Sequence, residues 1–331
     1  MAVETYYALD LPIKEQGGPE HIHQSLKGEA LDPANYRFTA TDGTRVVYHA
    51  CGRGPLLVVA LSPGWGIGMN YLPNGFRQLV ADGRITFVAM QTRGTLPSER
   101  PADASRMGSR HMAEDVEALR RLLGVETVVV MGHSNGAAIA LAYAELFPRH
   151  CAKAVLISAQ FIGFKDGGPI FMEGLARREK EPRFEKAAAY FKEHMLPIMA
   201  GGIEGAITSD EVLTDRVLAF FDLYYHDPDR FRHVFAESTG PISIQHWTYL
   251  AQNKADAVPE ADAAGRLGDV TGQTLIMSGR EDWICSVQAS AAIKDGIGAR
   301  ATHVIFEESG HMPWIEESDK FFKVLLDFLF A

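Results

Sequence analysis

The 331-residue chain predicts an α/β protein, with a mostly parallel sheet flanked by helices and an inserted helical layer. Three observations carry this. Short apolar runs without alternation recur along the chain, as expected of strands buried on both faces. Helix-like stretches separate them, which implies right-handed crossovers and parallel pairing. One interval of over a hundred residues, from Ser158 to Gln273, holds no convincing strand.

Taken in order, residues 1–35 are mixed and polar, broken by Gly17-Gly18-Pro19 and Asp32-Pro33, and are expected to form an extension lying on the core. His21 and His23 read there as surface histidines, because no further metal ligands stand nearby. From Tyr36 the pattern changes: "YRFTAT" and "TRVVYHA" flank Asp42-Gly43, a strong hairpin signal. The buried strands are "LLVVAL" (56–61), "ITFVAM" (85–90), "TVVVMG" (127–132), "AVLIS" (154–158), "TLIMSG" (274–279) and "THVIF" (302–306). Between them, "HMAEDVEALRRLLG" (111–124) sets Met112, Val116, Leu119, Leu122 and Leu123 at helical spacing.

The strandless interval reads as helices: "PRFEKAAAYFKEHMLPIMAG" with Pro182 near its start, "SDEVLTDRVLAFFDLYY", and "DPDRFRHVFAEST". Most of its many aromatics and methionines are expected to pack these helices together. An insertion between two core strands sits at the edge where those strands end, and there open parallel sheets bind ligands. The expected organisation is a core of 36–160 and 271–331 with a lid-like helical cap over 161–270.

Composition narrows the function. Forty-two acidic against 32 basic residues give a net charge of −10, which argues against nucleic acid or an anionic membrane as partner. Cys51, Cys151 and Cys285 are sparse, odd in number and without metal-ligand spacing, so they fit a reducing compartment. The first residues lack the basic and apolar regions of a signal peptide, and no run of 18 apolar residues occurs. A cytoplasmic protein acting on a small molecule is the expectation.

The chemistry centres on "VVVMGHSNGAAIA" (128–140). Gly-x-Ser-x-Gly alone is common by chance. Here it lies between a buried strand and a helix of small residues, where a sharp turn holds Ser134 at the sheet edge. Gly132 and Gly136 relieve backbone crowding, and the helix start faces developing negative charge. A serine hydroxyl needs an imidazole to take its proton. His311, in "EESGHMPWIEE" after the last strand, has the right place, whereas His133 is expected to pack beside the turn. The acid belongs one strand earlier, in "LIMSGREDWICS", where Asp282 is preferred and Glu281 is the alternative.

The order Ser134, Asp282, His311 resembles the α/β-hydrolase superfamily from about Tyr36 to Ala331, with a variable cap in the 160s to 260s. That resemblance implies an oxyanion hole formed by the backbone N–H groups of Trp65 and Asn135. The loop "SPGWGIG" departs from the family in having Pro63 where histidine is common, which puts the loop's geometry in question rather than its chemistry. "MQTRGTLPSERP" (90–101) resembles a family segment in Arg93, Gly94 and Ser98, while Gln91 and Leu96 replace its Asp and second Gly. Arg93 is expected to organise a loop.

The resemblance implies acyl transfer without metal, nucleotide or flavin: Ser134 attacks, His311 moves the proton, and water releases the acyl group. Serine at this position also separates the chain from relatives that use Asp, the haloalkane dehalogenases and epoxide hydrolases. An aromatic, Met-rich cap favours a small, largely apolar ester or lactone, such as a polyketide-like metabolite, with Trp65, Tyr224, Trp247 and Met312 as candidate contacts. A proline-iminopeptidase-like aminopeptidase is the runner-up, for which Glu173, Glu204 and Asp222 are the available cap acids. A carbon–carbon bond hydrolase, a hydroxynitrile-lyase-like enzyme and a ligand-binding receptor on the same fold complete the alternatives.

Overall fold

A computed structural model describes residues 7–199 and 207–331. Glu204, one of the cap acids named above, lies outside them. Among the described residues, nine strands form one sheet: β1 (Ile13–Lys14), β2 (Leu31–Thr39), β3 (Arg45–Arg53), β4 (Leu56–Leu61), β5 (Ile85–Gln91), β6 (Val128–His133), β7 (Cys151–Ile157), β8 (Gln273–Gly279) and β9 (Ala301–Phe306). Their order is β1-β2-β3-β5-β4-β6-β7-β8-β9. Only the pairs β2–β3 and β3–β5 are antiparallel.

The apolar runs are strands because they have two buried faces to fill. Along β4, Leu57, Val59 and Leu61 enter one hydrophobic cluster while Val58 and Ala60 enter the other. The side-chain alternation of a strand delivers successive residues to opposite faces, and helices must cover both. Helices Ser109–Leu122 and Asn135–Leu146 cover the first face; Ser318–Leu329 covers the second with Phe321, Phe322, Leu325 and Leu329. Each such large side chain, fully buried, contributes about 1.5–3 kcal/mol.

Residues before Tyr36 do more than lie on the core. β2 begins at Leu31, β1 adds a parallel edge to it, and Ile22 of the helix Gly18–Leu26 is fully buried in the first cluster. Edge strands can be this short and still pair, and two residues carry too little pattern to be read from sequence.

Arg93 organises a loop, as its setting suggested. Fully buried, it donates to both oxygens of Asp115, at 2.7 and 2.5 Å, and to Asp42 of the hairpin turn at 2.7 Å. Burial pushes the Asp115 carboxyl up to about 6 against the pull of this guanidinium.

Between β7 and β8 the chain forms the cap, with helices Gly167–Glu179, Glu185–His194, Leu196–Met199, Asp210–Phe220, Pro228–Thr239 and His246–Asp256. Two starts are locally encoded: Ser209 accepts from Val212 N–H, and Asp227 accepts from Arg230 N–H ahead of Pro228. The stretch expected as one helix from Pro182 instead begins at Glu185 and breaks at Met195. Pro197 has no N–H for the ladder and crowds the preceding turn. Leu175, Phe184, Phe191, Leu213 and Phe220 of the cap form a hydrophobic cluster that Trp283, from the loop after β8, joins to the core. Among the described residues, no helix is long and apolar enough to cross a membrane.

Candidate active site

Parallel strands end on one edge, so the loops after β4, β6, β8 and β9 converge beneath the cap. Ser134 closes β6 and precedes the helix Asn135–Leu146 with φ 56° and ψ −122°, a left-handed backbone that a non-glycine residue rarely adopts. The surroundings enforce it. A Cβ on Gly132 would lie 2.0 Å from the Gly136 carbonyl oxygen, and one on Gly136 would lie 2.2 Å from that of Leu61. Strand, turn and helix therefore pack backbone against backbone.

Asp282 and His311 meet at the same edge. His311 Nδ1–H donates to Asp282 Oδ2 at 2.8 Å, with both side chains buried. The other carboxylate oxygen accepts from the N–H groups of Ile284 and Cys285, at 3.1 and 2.9 Å. Because the carboxylate only accepts, it holds the proton on Nδ1 and leaves Nε2 free as a base. Glu281, the alternative acid, turns away: its carboxylate is 3.8 Å from Arg177, and its carbonyl accepts from Arg178. His311 is held by backbone as well, donating its N–H to the Tyr224 carbonyl of the cap at 2.7 Å.

Ser134 and His311 both line a cavity under the cap. Trp65, Tyr224 and Met312, three of the four candidate contacts, line it too, beside Phe191, Phe220 and Tyr249. Trp247 does not. It shares the helix His246–Asp256 with Tyr249, but residues two apart on a helix point in different directions. Its ring packs instead near Gly94, under the Arg100 guanidinium at 4.4 Å. A second cavity also reaches Ser134 and adds Gln160, Asn253 and Ser286. No Asp, Glu, Lys or Arg among the described residues lines either cavity. Asp222 is paired with Arg232 at 2.7 Å, and Glu173 lines neither cavity but an adjoining pocket that shares Ile170 and Ser286 with the second.

Trp65 lies in the turn after β4, and Asn135 is the first residue of the helix after Ser134. Gln91, which replaces the family's acid, braces the Trp65 loop by accepting from Met69 N–H at 2.8 Å and donating to the Leu96 carbonyl at 2.6 Å. His133 bridges Tyr71 and the His311 carbonyl, at 3.1 Å each. Burial and the neighbouring His311 hold its imidazole well below the usual histidine range, so it is neutral. Cys285 lies against the Ser134 hydroxyl, and burial pushes its thiol far up, which makes it a poor nucleophile. The sequence carries a hint of Cys285, three residues beyond Asp282, and none of the role of Gln91.

Fold and site together define a class, the hydrolases of the α/β fold. The family described as alpha/beta hydrolase fold matches residues 58–318, and the chain belongs to it. It is 30% identical to the 2-hydroxymuconate semialdehyde hydrolase of Pseudomonas sp. (strain CF600), over 87% of this chain and 91% of that one. Among solved structures it resembles an esterase from Exiguobacterium antarcticum, with TM-score 0.65 and 21% identity over 89% of this chain and 99% of that one. It also resembles the enol-lactonase from Burkholderia xenovorans LB400, with TM-score 0.64 and 19% identity over 89% of this chain and all of that one (100%).

Proposed function

We propose that the protein is a serine hydrolase that cleaves an uncharged, largely apolar ester or lactone through an acyl-enzyme on Ser134. One observation carries the reading: His311, paired with Asp282, shares with Ser134 a cavity whose described lining holds no Asp, Glu, Lys or Arg. His311 Nε2 takes the Ser134 proton as the hydroxyl oxygen attacks the carbonyl carbon. The N–H groups of Trp65 and Asn135 hold the resulting oxyanion, each worth about 3 kcal/mol in the transition state. His311 then protonates the leaving oxygen, and water hydrolyses the acyl-enzyme by the same proton path.

Carbon–carbon bond hydrolysis is the second reading, favoured by the likeness to the semialdehyde hydrolase. A muconate semialdehyde carries a carboxylate, and burying that anion calls for a cation or a dense set of donors. Neither cavity supplies a Lys or Arg, and residues 1–6 and 200–206 contain none. The cap acids needed by an aminopeptidase are likewise missing from the described lining. The test pairs a fluorophosphonate probe with a panel of short p-nitrophenyl esters and lactones. The probe should label Ser134, and Ser134→Ala should lower kcat by at least about 10⁴-fold. Full hydrolysis by Ser134→Ala would sink the assignment.

A further inference from the structure

The Asn135 side chain is turned away from the substrate cavity, yet it is fully buried and joins four separate segments. Its Oδ1 accepts from Gly64 N–H at 3.1 Å and from Gln252 Nε2 at 2.6 Å. Its Nδ2 donates to Gln160 Oε1 at 2.8 Å and to Ser109 Oγ at 3.4 Å. A backbone N–H can only donate, so Gly64 fixes which end of the amide is oxygen. Ser109 is anchored in turn by Asp256, which accepts from its N–H and its hydroxyl at 2.7 Å each.

Two of these partners belong to the cap: Gln252 and Asp256 share the helix His246–Asp256. Gln252 is fully buried and passes so close over the Trp65 loop that a Cβ on Gly64 would lie 2.3 Å from its Oε1. Gly64 immediately precedes Trp65, and Asn135 immediately follows Ser134. The residues on which both oxyanion N–H groups depend are thus tied to each other and to the cap through one amide.

We propose that Asn135 and Gln252 are positioning residues that set the oxyanion hole from behind, coupling the seating of the cap helix to stabilisation of the transition state. This rests on the acyl-transfer reading above. Only an amide suits the position. A leucine of similar size has no polar atom for Gly64 N–H, and a carboxylate has no donor for Gln160 and adds a charge next to Asp256. Gln252 acts at one remove, because its Nε2 holds the Asn135 oxygen in place against Gly64. Oxyanion donors lose effect when displaced by a fraction of an ångström, whereas ground-state binding in an apolar cavity is insensitive to such a shift.

The experiment uses the full chain with Gln252→Met and Gln252→Leu, both uncharged and both lacking the donor. Leu250→Ala, on an exposed face of the same helix, is the control. Three quantities are read: kcat and KM on a p-nitrophenyl ester, and the inhibition constant of an aryl trifluoromethyl ketone, whose serine adduct carries an oxyanion. Each Gln252 variant should lose about tenfold in kcat with KM within twofold. The ketone should weaken by the same factor, and Leu250→Ala should match the wild type. Asn135→Leu should fall further on the same two measures. If kcat and ketone affinity survive in a folded Gln252 variant, or if only KM rises, the coupling is overturned and Gln252 is a packing residue. A wild type that the fluorophosphonate fails to label at Ser134 would instead remove the reading beneath it.

Discussion

Below Ser134, the sheet edge supplies backbone and hydrogen-bonding groups in positions with little latitude. Gly132 and Gly136 leave no room for a methyl group, Asp282 is fixed by three donors, and His311 is held by side chain and backbone. Above Ser134, the cap supplies Phe191 from one helix and Val217 and Phe220 from another, with mainly dispersion contacts and no charged side chain among the described residues. On the proposed function, the lower half has the fixed geometry that bond making and breaking require, and the upper half has the apolar surface against which a substrate would be sorted. Gln252 crosses from the second half to the first.

The contrast is open to direct attack. Its sharpest test is Gly136→Ala, which forces a Cβ to 2.2 Å from a backbone oxygen. Destabilisation of at least about 3 kcal/mol is expected, with loss of nearly all hydrolysis, read by thermal unfolding and ester turnover. A stable, active variant would show that the lower half is more pliable than its packing implies. Val217→Phe in the cap should act on selection alone. With acyl chains of increasing length, kcat/KM should drop about tenfold for the longest and hold within twofold for acetate. An equal drop for every ester would mean that the cap shapes the reacting geometry too.

The smallest effect concerns a polar group of the lower half that is poorly satisfied. Glu145 is buried on the helix after Ser134, and burial pushes its carboxyl up to about 7 despite Arg110 at 3.3 Å. With the folded pKa above the unfolded one, its contribution is complete below about pH 4.5 and is lost as pH rises through 7. Glu145→Gln should therefore be more stable than the wild type at pH 8 by about 1–2 kcal/mol, and close to it at pH 5. Some pH dependence should persist, because Glu316 is also pushed up to about 7 by burial. Identical unfolding curves at pH 8 would place Glu145 in better solvation than its burial suggests.

What the sequence disclosed follows the same division. β4 runs from Leu56 to Leu61, the bounds of its apolar run, and β8 and β9 each begin one residue before theirs, because a doubly buried strand is written in consecutive residues. Ser134, Asp282 and His311 stood out because strand ends and tight turns leave local marks. The cap was legible as helical but not in its aim. Trp247 and Tyr249 look equally suited to a substrate until the orientation of their shared helix is known. The helices Gly167–Glu179 and His246–Asp256 were not separately legible, since the first opens on two glycines and the second has little apolar stripe. The partnership of Gln252 with Asn135 spans 117 positions and depends on how the cap is seated, so no local pattern announces it.

The position of β8 and β9 also sets an order in time. Ser134 and its turn are complete once β4, β6 and β7 are paired, but Asp282 and His311 follow strands made only after the whole cap. A chain growing from its N-terminus thus carries the proposed nucleophile, Ser134, through most of synthesis without His311 beside it. On the proposed mechanism, hydrolysis waits until β9 has been added to the sheet and His311 has met Asp282, so turnover would report that both late strands are in place.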